Sequence, residues 1–348
     1  MFFTGVLLGL LFVTPLVIFY FLFIRWVDRF EPEPWWLLFA ALIWGALFAT
    51  LGGGITSGVV GNVIAAITEQ SSQSEKMNAV GATVLAPVFE EASKGLGVAL
   101  IAGISALGLR ELDGPLDGAI YGGVVGLGFT LTEDILYVAS AYASGGFAAF
   151  GMLWFLRTVL LGLSHCTFTA CTGLGLGIAA ESKNRFVKIS APFFGYVFAV
   201  SLHAFHNGMP TFFSQPGAVL MILVSLVINV LFFILLGALV ARDRQIVLRE
   251  LSGEIGQLIH PEELQAITTY FSIGMRNLGI LFSRGLTPFF DRRRKQLALV
   301  ELAFLKNRRR RGETGVGMDV KETRLRQEIF FANQKGIWIG SRDLHARR

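Results

Sequence analysis

An all-α bundle of about seven transmembrane helices, continued by a basic helical cytoplasmic tail, is the fold class the sequence predicts, and three observations carry it. Of 348 residues, 53% are hydrophobic and only 16% are charged, against about 25% charged in soluble domains. Several apolar runs exceed the roughly 18 residues that mark a membrane span. The charges are also sorted along the chain. Residues 242–348 hold 21 Lys/Arg against 12 Asp/Glu, a net of +9, and residues 1–241 hold 9 against 13, a net of −4. The strict alternation over about 10 residues that marks a membrane barrel strand is not seen. A transmembrane domain over 1–241 and a basic, partly amphipathic tail over 242–348 follow.

Apolar runs place the spans near 2–24, 35–56, 78–103, 118–139, 151–180, 189–211 and 216–240. The first lacks a basic leading region and a small-residue cleavage site, so it reads as a span and not as a removable signal peptide. The fifth is too long for one straight crossing. It is either strongly tilted or a surface turn followed by a span near 160–180. Alternate loops carry Arg25, Arg29, Arg110, Lys183, Arg185 and Lys188, whereas the opposite set carries only Lys76. Basic loops stay cytoplasmic, which puts the N-terminus outside and the C-terminus inside. Gly118, Gly122 and Gly126 recur at spacing four, as do Gly173 and Gly177. Such ridges let helix backbones approach closely, so spans four and five are expected to pack on each other. Cys166 and Cys171 fit neither a disulfide framework nor a zinc ribbon and read as small apolar residues.

In the tail, Leu264, Ile267, Tyr270, Phe271, Leu278, Leu281 and Phe282 alternate with charge, and Arg292–Lys295 and Arg308–Arg311 form dense basic clusters. Amphipathic helices of this kind beside a cytoplasmic span favour anionic lipid. Without a recognisable motif or an aromatic stacking pattern, nucleic acid is not expected as a partner.

The chemistry is signalled by the groups a bilayer penalises. Glu90, Glu91 and Lys94 lie within the third span, and Glu133 and Asp134 within the fourth. Arg157 and His165 lie in or beside the fifth, and His203 and His206 within the sixth. Each charge at a helix centre costs roughly 2.5–3.5 kcal/mol, so the six charged groups standing alone would cost on the order of 15 kcal/mol. Mutual pairing, water or a bound ion must offset that. Glu90 and Lys94 share a helix face, with Glu91 turned about 100° away. Phe129, Glu133 and Tyr137 form a stripe on the fourth span, and His203 and Asn207 share a face on the sixth. Carboxylates with neutral imidazoles are the ligand set of zinc and related divalent metals, and a spare carboxylate would serve as general base. Taken singly, the pieces have plainer readings: an intrahelical Glu90–Lys94 pair, a water-lined path at Glu133 and Asp134, or a polar helix face at His203 and His206. No HExxH is present, which excludes a soluble zincin fold.

The string Glu90-Glu91-Ala92-Ser93-Lys94 resembles the EExxK motif of the PrsW family of intramembrane proteases, which is related to the CAAX-prenyl protease and bacteriocin-processing group. Gly126–Tyr137, with Phe129 and Glu133, resembles its second motif, although Asp134 stands where Asn is expected. Arg157 with Ser164-His165 resembles the third, and His203-Ala204-Phe205-His206-Asn207 the last, with His206 in a place usually aromatic. Asp28–Pro34 resembles the acidic, proline-containing loop after the first span. The resemblance covers about residues 20–240, and the tail lies outside it.

What it implies is an integral protein of the bacterial plasma membrane that acts as an endopeptidase dependent on a divalent metal, zinc being the expected one, on a membrane-anchored client such as an anti-sigma factor. Glu90 and Glu91 would supply the base and a ligand or its support, without a basis for choosing between them. Glu91, His165 and His203 form the metal set. Glu133 would be a further ligand or its support, and Asn207 would hydrogen-bond a ligand or the oxyanion. Lys94 and Arg157 would balance charge, with Phe129, Asp134, Tyr137 and His206 in support. Two other classes remain open on the residues alone. A scaffold of the same fold would keep the polar cluster for binding, as in a non-proteolytic gamma-secretase subunit of the related group. An ion-coupled transporter would use it as a relay, but the internal repeat it predicts is not seen.

Overall fold

In the computed structural model the chain is described over residues 1–28, 30–109, 111–269 and 272–340. Arg29 and Arg110, used above for orientation, and Tyr270 and Phe271 of the tail pattern lie outside the described residues. No strand occurs among the described residues; one isolated bridge joins Ile255 and Ile259. The chain divides into two compact units, Met1–Gly237 and Ala238–Arg348.

The first unit opens with α1 (Phe2–Val27). Helix α2 (Trp35–Ile43) then runs through a π-helical stretch, Trp44–Ala49, into α3 (Thr50–Ile67). A short α4 (Glu75–Val80), N-capped by the Ser74 side chain, leads through a second π stretch into α5 (Ala86–Ile104). Next come α6 (Pro115–Trp154), α7 (Ser164–Glu181) and α8 (Arg185–Ser252). Among the described residues, four helical stretches are long and apolar enough to cross a membrane: Phe2–Val27, Trp35–Ile67, Pro115–Glu181 and Arg185–Ser252. With the apolar composition, these make the chain an all-α integral membrane protein.

The two longest stretches are not straight. At 1.5 Å per residue, a helix of nearly 70 residues would run to about 100 Å, three times a bilayer core of about 30 Å. Gly146 breaks the helical path with φ 66°, and Ser214 breaks it with φ 50°. The sequence accounts for the first, because Gly146 has no Cβ to oppose the left-handed region. The second falls two residues before Pro216, which has no N–H to give to a helical hydrogen bond. A further break at residues 161–163 separates α7 from the π stretch Phe155–Leu160. A Cβ on Gly162 would lie 2.2 Å from the Thr158 carbonyl oxygen. The fifth apolar run is therefore not one straight helix.

Helix α6 is the hub, and its glycines are why. A Cβ on Gly118 would fall 2.0 Å from the Gly173 carbonyl oxygen, and one on Gly126 would fall 2.2 Å from that of His165. The two ridges read from the sequence therefore meet backbone to backbone. On another side, Gly128 and Gly45 seat α6 against the α2 end: a Cβ on Gly45 would lie 1.9 Å from the Val125 carbonyl oxygen. Cys166 is buried and both cysteines are free, as their apolar surroundings suggested.

The acidic loop after α1 folds inward. Asp28 accepts a 2.7 Å hydrogen bond from the Glu33 amide, and Tyr121 on α6 donates to the Glu33 carboxylate. Burial pushes Asp28 up to about 7 and Glu33 well above the usual carboxylate range. An acid whose folded pKa is raised stabilises the fold below its unfolded pKa near 4 and loses that contribution as pH rises through about 7. Asp28→Asn is therefore expected to raise the melting temperature of the detergent-solubilised chain at about pH 8 and to change it much less at about pH 5. Equal shifts at both pH values would contradict the buried-acid reading.

The second unit contains α9 (Pro261–Thr268), α10 (Ser272–Arg284), α11 (Leu286–Arg310) and α12 (Val316–Gln334). Leu299, Leu302, Ala303, Leu325 and Ile329 form its core. Arg326 grips Glu254 through two 2.8 Å hydrogen bonds, which holds the Glu254 carboxyl below its ordinary range, and Lys306 joins at 2.5 Å. The basic clusters do not all face outward. Lys295 is buried on Glu263 at 2.5 Å, with its pKa lowered by that burial. Arg292 donates to Asn277 and to the Ile339 carbonyl, and Arg308 is buried beside Glu313. Three of the eight basic residues in these clusters, Arg292, Lys295 and Arg308, are therefore internal wiring of this unit, because Lys and Arg stems pack as apolar surface when their heads find partners.

Candidate functional site

Four helices converge on one buried polar cluster. Helix α5 brings Glu90, Glu91 and Lys94; α6 brings Glu133 and Asp134; α7 brings His165; α8 brings His203 and His206. The glycine contacts set the convergence. Gly126 lets α6 meet the backbone at His165, which drops that imidazole beside Glu133, two turns further along α6. Gly53 on α3 presses on Glu90, where a Cβ would stand 2.7 Å from its Cγ.

Glu91 is the centre. Its Oε1 accepts from Lys94 Nζ at 2.8 Å and meets His203 Nδ1 at 2.9 Å, and its Oε2 accepts from Thr169 Oγ1 at 3.0 Å. Lys94 also reaches His165 Nδ1 at 3.3 Å. An ammonium only donates, so His165 Nδ1 is the acceptor and Nε2–H points to Glu133 Oε2, 2.8 Å away. The same logic places the His203 proton on Nδ1, toward Glu91. His203 Nε2 then keeps its lone pair and lies 3.7 Å from Glu90 Oε2. That Glu90 oxygen is buried with no hydrogen-bond partner, 3.8 Å from Lys94 Nζ. An unpartnered buried carboxylate oxygen is costly and marks a place where something else is to be bound.

An outer layer holds this arrangement. Arg157 donates to Glu133 at 2.7 Å and to Asp134 at 2.9 Å, and lies over the Tyr137 ring at 3.9 Å. Asp134 also accepts from Thr158 at 2.9 Å. The Lys94 ammonium sits 3.6 Å above the Phe129 ring, a cation–π contact, and that ring packs on His165. His206 stands further out, with Nδ1 3.2 Å from Ser225 Oγ and its ring near those of His165 and Phe168.

The structure thus gathers Glu90, Glu91, Lys94, Glu133, His165 and His203 into one cluster, flanked by Phe129, Asp134, Tyr137, Arg157 and His206. Asn207 is placed differently. Its amide donates to the Ala82 carbonyl at 3.0 Å, which ties α8 to the π stretch leading into α5. Sequence reading missed Thr169, Thr158 and Phe168, whose ring stacks on His203. Thr169 follows His165 by one helical turn and faces the same way, which is the signal that could have found it.

The donor set fits a divalent cation on two counts. Glu91, His165 and His203 each offer one atom, all within 4.8 Å of one another. Bonds of roughly 2.0–2.2 Å to oxygen and nitrogen are those of zinc, so a small inward movement closes such a trio on an ion. Charge agrees as well: among the described residues, four carboxylates (Glu90, Glu91, Glu133, Asp134) face only Lys94 and Arg157 as fixed cations, a deficit that a dication offsets.

Comparison with known proteins is consistent with this geometry. No curated protein and no solved structure matches the chain. The family described as PrsW family intramembrane metalloprotease matches residues 33–240, a stretch that holds every residue of the cluster and more than half of the chain. The protein belongs to the PrsW family of intramembrane metalloproteases and is a membrane-embedded protease.

Proposed function

We propose that this chain is a zinc-dependent endopeptidase that cuts a membrane-anchored client, an anti-sigma-factor-like regulator being one such client, in or beside the client's membrane segment. The observation that carries the reading is the Glu91, His165 and His203 donor trio with the unpartnered Glu90 oxygen beside it. Metal-binding imidazoles characteristically have their other nitrogen fixed by a carboxylate outside the ligand set, and His165 has this through Glu133.

Bound in this site, a divalent ion supplies Lewis acidity toward a carbonyl and toward water. The chain's own residues do the rest. Glu90 Oε2 takes the proton of the attacking water and delivers it to the leaving amine nitrogen. Glu133 holds His165 in the tautomer whose Nδ1 lone pair faces the cluster, and Thr169 orients Glu91. Arg157 holds Glu133 and Asp134 in place through its two hydrogen bonds. Asn207 keeps α8 in register, so that His203 meets Glu91. N-termini labelled in membranes from cells carrying the wild-type chain should include new termini in or near membrane segments, absent with His165→Ala. Identical sets of termini in both would contradict the proposal.

The breaks at Gly146, residues 161–163 and Ser214 support reading the two longest helical stretches as folded into several crossings, which with the α4–α5 segment gives about seven spans. Basic loops support an N-terminus outside and a cytoplasmic C-terminus, and the resemblance to the PrsW proteases is what supports a bacterial plasma membrane. For the tail, the proposed partner is anionic lipid. Helix α10 and its junction with α11 expose Met275, Leu278, Phe282, Leu286 and Phe290, and Arg294 stays 75% exposed. An environment-sensitive dye on Phe282→Cys in the reconstituted full chain should report an apolar setting in vesicles containing phosphatidylglycerol and lose it at high salt. The same signal in pure phosphatidylcholine would contradict lipid selectivity.

A further inference from the structure

Beside the cluster lies a cavity of about 210 Å³ that the proposed chemistry does not use. Its walls are Leu153, Leu156, Leu161, Met221 and Ile222, with Ala218 on the α8 side. Its polar end is formed by His165, His206 and Ser164. Ser164 is 2% exposed, and its Oγ has no hydrogen-bond partner. Asp134 and Arg157 also line the cavity, but they are bound to each other at 2.9 Å, so the cavity presents no unpaired charge.

We propose that this cavity is the client-side-chain pocket of the protease: it takes one large apolar side chain next to the scissile bond, while the Ser164 hydroxyl hydrogen-bonds the client backbone. The inference rests on the protease reading above. Size favours a single side chain. An apolar cavity of about 150 Å³ takes benzene, whereas sites for whole drug-sized ligands begin near 300 Å³. The apolar walls select aromatic or branched aliphatic groups, and the paired Arg157 and Asp134 leave no lone charge to favour an acidic or basic one. The buried Ser164 hydroxyl argues for peptide over a lipid chain. An unmet hydroxyl costs about 1–3 kcal/mol, and an extended peptide offers a carbonyl or amide to it where a hydrocarbon tail offers nothing. Position agrees, because His165 both lines the cavity and belongs to the donor trio, so a residue seated there has its backbone against the cluster.

The test compares labelled N-termini in membranes from cells carrying wild-type chain, Ala218→Phe, Met221→Ala and Glu90→Gln. Termini present with wild type and absent with Glu90→Gln define the cuts. In wild type, one position flanking the cut should be dominated by Leu, Met, Ile or Phe. Ala218→Phe, which fills the pocket, should lower cutting at those sites at least about tenfold while sparing sites with Ala or Ser there. Met221→Ala, which enlarges it, should shift the preference toward Phe and Trp, and it serves if Ala218→Phe does not fold. Unchanged residue preference in a folded variant overturns the pocket assignment and leaves the protease reading standing; that result with acyl lipid lost from purified Ala218→Phe would make the cavity a lipid site. No difference at all between wild type and Glu90→Gln would instead remove the protease reading, and the pocket with it.

Discussion

Glu90→Gln is expected to lower cleavage about a thousandfold, within the 10²–10⁴ range that a positioned general base contributes, while leaving membrane insertion, thermal stability and metal content near wild type. The expectation follows from the two glutamates having different surroundings. Both oxygens of Glu91 are engaged, one by Lys94 and His203 and the other by Thr169. Glu90 keeps Oε2 unpartnered and faces the His203 lone pair across 3.7 Å. Sequence alone offered no basis for dividing the base and ligand roles between them; hydrogen bonding supplies one. Cleavage that survives Glu90→Gln at a tenth of the wild-type rate or better would remove Glu90 from the base role. Cleavage lost together with the metal would show that Glu90 is a ligand instead.

Lys94→Met should be the most destabilising single change in the cluster. Lys94 is fully buried, and its ammonium is in contact with Glu91, with Glu90 nearby. Removing one partner of a buried ion pair costs about 3–5 kcal/mol, because the remaining charge is left without compensation. The expected readout is a large fall in the melting temperature of the detergent-solubilised chain, partly restored in Lys94→Met with Glu91→Gln, since the second change removes the stranded charge. Simple additivity of the two losses would show that Lys94 acts through something other than Glu91.

Much of this was legible in the sequence, for physical reasons. Charged residues inside apolar runs are so costly that Glu90, Glu91, Lys94, Glu133, Asp134 and Arg157 had to find one another. The spacing-four glycines marked a backbone contact between α6 and α7, and the structure places that contact where it sets Glu133 against His165. Other features depend on what surrounds a residue, which periodicity does not report. Thr169 and Phe168 became part of the site only once α5 and α8 were seen against α7. Asn207 shares a face with His203 in sequence, yet its amide is engaged by the Ala82 carbonyl. The basic tail was read by charge count, whereas Arg292 and Lys295 have their heads buried on Asn277 and Glu263. The exposed apolar row through Phe282 is what continues to favour a lipid partner.

The central claim is that Glu91, His165 and His203 hold a metal ion in a membrane-embedded protease. Elemental analysis of the full chain, purified in detergent without chelators, tests it most directly when run beside His203→Ala and Glu91→Gln. The account predicts about one zinc per chain, as a single three-donor site requires, lost in both variants while Glu90→Gln retains it. Zinc retained in His203→Ala, or wild-type chain that cleaves its client with no divalent metal bound, would contradict it.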